Sequence, residues 1–181
     1  MQKLDVSGFQ VVQSDPVAEL SGTSLPPSLN TGLAEVDFEH AQLFSSMASL
    51  RQLCSEYQTQ SSCAACHESQ RNNCENSLIG ILGDLLAFIL DHFHTEEKAM
   101  RDSLLYMFDR DVCEAHMEDH SLISEKIQQI VAALTPMQTV LQVRELDFLL
   151  QRWVSHHVVL HDQALGHWLA RQDMLFLTQK A

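Results

Sequence analysis

His92 and Glu96 stand four residues apart in HFHTEEKAM, and His116 and His120 stand four apart in HMEDH. In an α-helix that interval returns a side chain to the same face one turn on. His40 precedes Phe44 by four residues and His157 follows Trp153 by four, so each of these histidines belongs to a further helical face. Imidazole and carboxylate together are ligands for iron, zinc, copper or manganese. A lone histidine on an amphipathic helix is usually a surface residue, and a single H-x-x-x-H occurs by chance. Four segments that each supply an imidazole, two of them with a second ligand one turn away, instead describe a metal site built by inward-facing side chains of a bundle. Burying such a set without partners would be costly. Five imidazoles with carboxylates exceed the four positions of tetrahedral zinc and fit two ions of higher coordination. A ferritin-like site would need Glu-x-x-His pairs, and the sequence has none.

The elements that would position these residues can be read from periodicity. From Glu35, apolar Val36, Leu43, Phe44, Met47 and Leu50 recur at helical spacing. The stretch CSEYQTQSSCAACHESQRNNC that follows is polar and cysteine-rich, with no helical period. SLIGILGDLLAFILDHFHTEEKAM reads as a long helix. Asp111 and Glu114 resemble a capping box for a third helix running through HMEDHSLISEKIQQIVAAL, and Pro136 marks the break after it. A last helix is expected from about Thr139 to Arg171. The expected fold is all-α, an antiparallel up-down four-helix bundle. Residues 1–30 form an irregular N-terminal arm, residues 31–171 the bundle with an insertion at about 54–75, and residues 172–181 a tail or the start of a linker.

Composition narrows the function. The 181 residues suffice for one core, and with 45% hydrophobic residues a folded domain is expected. The net charge of −13 argues against nucleic acid and anionic membranes as partners. MQKLDVSGFQ has no apolar signal core, and the longest apolar run, interrupted by Asp84, reads as too short to span a bilayer. A cytoplasmic protein is expected.

GLAEVDFEHAQLF, HFHTEEKAM, HMEDH and WVSHHVVLHD, taken in order and one per helix, resemble the bacterial hemerythrins over about residues 32–170. The resemblance implies a non-haem di-iron bundle that binds O2. It implies that His116, His120 and His157 bind one iron and that His40 and His92 bind the other, which keeps a position open for O2. Glu96 and Asp162 would bridge the two irons beside an oxo or hydroxo group. Spacing alone prefers His161, at i+4 from His157, over Asp162 at i+5; the family's H-x-x-x-x-D pattern prefers Asp162. His67, His94, His156, His161 and His167 are read as surface residues or as supports behind the ligands, with His161 the first candidate for support. Val154 and Val158, flanked by Trp153, match the family's apolar pocket wall, where many relatives carry larger Leu and Ile. The smaller valines would open space for solvent and small anions.

Cys54, Cys63, Cys66 and Cys74 cluster between the first two helices. CAACH fits the signature of covalent haem attachment, which we set aside because no export signal is seen. A zinc site of four thiolates and a redox-active dithiol both remain open. Cys113 reads as a small buried hydrophobe. Hemerythrin domains occur alone and fused to signalling outputs such as diguanylate cyclases. The expected role is an O2 or redox sensor module, with O2 and small anions as ligands and any output domain outside this chain. A stand-alone O2 carrier, a di-iron peroxidase and a nitric oxide scavenger are the alternatives. No acid or base is seen beside the open position, so an enzyme is not expected.

Overall fold

The structure, a computed structural model, describes residues 25–54, 60 and 62–178, with side chains as far as residue 172. Most of the expected N-terminal arm, residues 1–24, lies outside the described residues, as do 179–181 of the tail. The described chain is helical, with no strand among the described residues. We label the helices α1 (Ala34–Gln52), α2 (Glu68–Asp102), α3 (Leu105–Phe108), α4 (Arg110–Ala132), α5 (Thr139–His157) and α6 (Gln163–Thr178). Between α5 and α6 lies a π-helical turn, Val158–Asp162, so the last two helices form one continuous rod.

Helix α1 is anchored at its start by Asp37, whose Oδ1 accepts from Thr31 N and Thr31 Oγ1, each at 2.8 Å. Its apolar stripe, Val36, Leu43, Phe44, Met47 and Leu50, is buried. Helix α1 packs on α2 and α5, and α4 packs on α5 and α2. The main core gathers Leu43, Phe44 and Met47 of α1, Leu78 to Phe93 of α2, Ile123 to Ile130 of α4 and Val143 to Val154 of α5. A small second core of Met100, Leu105, Cys113 and Leu165 lies beyond it, and Cys113 is a buried apolar member there.

Several boundaries differ from the sequence reading. Helix α2 begins at Glu68, inside the stretch expected to be irregular, so Cys74 is a helical residue. At 35 residues, α2 is long and apolar enough, by length and composition alone, to cross a membrane, which corrects the expectation of too short a run. The cap of α4 is Asp109, whose carboxylate accepts from Val112 N at 3.3 Å, and not Asp111. Glu114 instead pairs with Arg110 at 2.6 Å. The last helix also runs past Arg171, to Thr178.

Candidate metal centre

The buried carboxylates Glu96 and Asp162 and the buried imidazoles of His116, His120 and His157 fall between the two cores. On α2 the order is Phe93, Glu96, Met100; on α4 it is Cys113, His116, His120, Ile123; on the last rod it is Val154, His157, Asp162, Leu165. The result is one polar stratum sealed by apolar side chains above and below. His40, His92, Glu96, His116, His120, His157 and Asp162 all meet in it, each no more than 3% exposed.

The donors fall into two groups. Glu96, His116, His120 and His157 form one, and His40, His92, Glu96 and Asp162 the other; within each, the candidate ligand atoms lie within 4.8 Å of one another. In the first group His157 Nε2 stands 3.2 Å from His116 Nε2 and 3.3 Å from His120 Nε2. Nitrogens sharing one ion at about 2.1 Å stand about 3.0–3.4 Å apart, so this spacing suits a common metal. Glu96 Oε2 faces this group, 3.1 Å from His120 Nε2 and 3.3 Å from His116 Nε2, while Oε1 faces His92 Nε2 at 3.5 Å. Asp162 divides itself the same way. Its Oδ1 is 3.0 Å from His157 Nε2 and 3.3 Å from His116 Nε2, and its Oδ2 is 3.1 Å from His40 Nε2. Each carboxylate thus offers one oxygen to each group.

Close as they are, His40 Nε2, His92 Nε2, Glu96 Oε1 and both Asp162 oxygens are buried without a hydrogen-bond partner. Distances are short but the angles are wrong for donation, which is how atoms look when they aim at a shared centre rather than at each other. Unsatisfied buried groups of this kind are expensive. A cation would satisfy all of them at once, so the donor set fits a metal.

The electrostatics agree. Burial, and then Asp162, push the Glu96 carboxyl upward, yet contacts from His116, His120 and His157 hold it well below the usual carboxylate range. Asp162 is likewise held low by His116, His157 and His40 against its burial. Burial works to lower His157, but Asp119, Asp162 and Glu96 together raise it to about 11. His116 is raised, against its burial, by Asp162 and Glu96, whereas burial lowers His120.

Asp162 reaches the stratum because of the π-helical turn. Gln163 N bonds to Val158 O, an i→i+5 step that widens one turn of the helix. Residue i+5 then takes the inward place that i+4 holds in a regular helix. His161 is pushed aside, half-buried, with its ring stacked on that of His116 at 4.9 Å. Periodicity carried no sign of this turn.

The imidazoles are also supported from behind. Glu39 Oε2 lies 2.8 Å from His92 Nδ1, and its Oε1 accepts from Thr95 Oγ1 at 3.0 Å. Asp119 Oδ2 lies 2.7 Å from His157 Nδ1 and accepts from Trp153 Nε1 at 2.8 Å. Glu97 Oε1 is 3.3 Å from His120 Nδ1. A carboxylate on Nδ1 fixes the tautomer and turns the Nε2 lone pair inward. The sequence reading named His161 for such support and missed Glu39 and Asp119. The available signal was adjacency: each directly precedes a candidate histidine, and each serves an imidazole on a neighbouring helix rather than on its own. Phe93 stacks on His120 at 3.7 Å, and Val154 and Val158 are fully buried beside it in the main core. His67, His94, His156 and His167 are exposed and lie outside the stratum.

Cys54, Cys63, Cys66 and Cys74 carry free thiols and line one pocket of about 230 Å³. No three of their sulfurs lie within 4.8 Å of one another, so the structure shows no closed zinc site.

The family model described as the hemerythrin HHE cation binding domain matches residues 31–169. Comparison with curated proteins and with solved structures found no match. The match spans every residue of the buried stratum, which has the donors and the geometry to bind metal. The chain therefore belongs to the hemerythrin HHE cation-binding domain family.

Proposed function

We propose that this is a non-haem di-iron domain that binds O2 and serves as an O2 or redox sensor. The observation that carries it is the division of Glu96 and Asp162, one oxygen to each of two imidazole groups of unequal size. His116, His120 and His157 with Glu96 and Asp162 would hold one ion, and His40 and His92 with the same two carboxylates would hold the other. With one imidazole fewer, the second ion would be the one to take an external ligand. Two ferrous ions there would supply the electrons for reversible O2 binding.

The chain's own part is to orient and to keep dry. Glu39 and Asp119 hold His92 and His157 with Nε2 inward. Phe93, Trp153, Val154 and Val158 exclude water from that side of the stratum. Valines at 154 and 158 leave a slimmer wall than larger aliphatic residues would, which favours quick passage to the diferric form and so sensing over storage. The four long segments are read as an antiparallel up-down bundle spanning residues 31–171, with the Cys-rich segment inserted between α1 and α2. We read the protein as cytoplasmic and non-enzymatic, acting on O2 and small anions and regulating an output that lies outside this chain.

The test is the visible spectrum of anaerobically reduced, iron-loaded protein after mixing with air. A peroxide-to-iron charge-transfer band with no haem Soret band supports the reading, and its lifetime separates a sensor from a store. Retention of no iron and absence of the band would overturn it.

A further inference from the structure

Beyond Gln52, the last residue of α1 and twelve residues or about 18 Å along the helix from His40, three pieces of chain converge on one pocket. They are the segment just after α1 at Cys54, the 3-10 turn that begins at Cys63 and precedes Cys66, and the first turns of α2 at Cys74. We propose that these four cysteines form a second metal site, a four-thiolate site for a thiophilic divalent cation of zinc's class. It stands independently of the di-iron reading, since no residue is shared.

The pocket's chemistry selects the ligand. Among the described residues its walls carry four cysteines and no carboxylate or histidine, and abundant sulfur suits a soft or borderline cation. The thiols themselves have only weak partners. Cys66 Sγ lies 3.8 Å from Gln60 Oε1 and Cys74 Sγ 3.8 Å from Leu53 O. All four thiols are free, and a tetrahedral cation would use all of them at once. Four thiolates around a dication leave a charge of −2, and Arg71, a wall of the same pocket, stands ready to offset it.

The backbone frame is already held. Cys63 N donates to Met137 O at 3.2 Å, Cys66 N to Cys63 O at 3.1 Å, and Arg71 Nη1 to Cys66 O at 2.5 Å. Sulfurs at about 2.3 Å from one zinc stand about 3.8 Å apart. Binding therefore needs the side chains to rotate inward, and Cys54, Cys66 and Cys74 are half-exposed and have room to do so. Each thiol gives its proton to solvent as its sulfur–metal bond forms, and nothing is oxidised.

The full chain, purified under reducing conditions, is expected to hold about one zinc per chain, and Cys54→Ser or Cys74→Ser should cut this roughly tenfold with iron content unchanged. Cobalt(II) offered to the wild-type chain should give intense tetrahedral ligand-field bands with a sulfur-to-metal charge-transfer band. The spectrum reads the site without relying on variants that fold. A fully reduced chain that takes up no zinc and shows no such bands overturns the proposal, and so does zinc that survives both substitutions. Zinc bound in a chain that retains no iron would sink the di-iron reading and leave this one standing.

Discussion

A single oxygen of Asp119 meets both His157 Nδ1 and Trp153 Nε1, so one surface-side carboxylate sets the angle of a buried imidazole. Replacing it by asparagine keeps the shape and removes the charge. Asp119→Asn should release iron roughly 10–100-fold faster, measured by chelator competition, while the helical content stays unchanged. The choice between neighbouring residues is equally open to test. Asp162→Ala should lose iron, and His161→Ala should keep it; iron content by elemental analysis decides, and the reverse pattern would return the bridging role to His161. Val154→Leu should slow conversion of the oxygenated form to the diferric form, and an unchanged rate would remove the argument from pocket size. The inward histidines were legible because i+4 pairs on several helices seldom coincide. Glu39 and Asp119 were less so, because they are two of 24 acidic residues and only their places directly before His40 and His120 mark them.

Among the elements, the helices were readable from their apolar stripes and their ends were not. Helix α2 continues through Cys74 because ESQRNNCEN is polar but contains no helix breaker, so weak periodicity was mistaken for a loop. The π-helical turn was hidden for a related reason: VVLHD has the composition of any amphipathic turn, and only the partner across the stratum shows which residue must face in. Gly166 on α6 illustrates a close approach of elements. A Cβ there would lie 2.2 Å from Thr31 O, the residue that also secures the start of α1. Gly166→Ala should therefore cost about 1–3 kcal/mol, a fall in Tm of roughly 3–10 °C. Gly80 and Gly83, with open space where a Cβ would go, are the controls; alanine at either should be neutral or stabilising.

At the scale of the whole molecule, the polar stratum divides one chain into a large core and a small one. Metal bound only by the folded state stabilises it by mass action, and two ions each at about a hundred times their dissociation constant contribute about 5 kcal/mol. Removing iron should lower Tm by roughly 10–20 °C; a calorimetric scan of iron-free protein that matches the loaded one would contradict the ligand set. Acid should have the same effect as a chelator, because imidazoles that take up protons cease to be ligands. His157, raised to about 11 in the metal-free chain, carries a proton at neutral pH that must leave on binding, so iron uptake should release acid.

The small core beyond the stratum, four buried residues with six partly buried hydrophobics packed against them, is much smaller than the main core. On the di-iron reading, ions in the stratum would act as a keystone: without them, hydrogen exchange should quicken first at Met100, Leu105 and Cys113 while Leu43, Leu85 and Leu146 keep their protection. Occupancy of the centre would be expressed as firmness at one end of the molecule, a mechanical quantity that a neighbouring protein surface can sense without ever touching the metal.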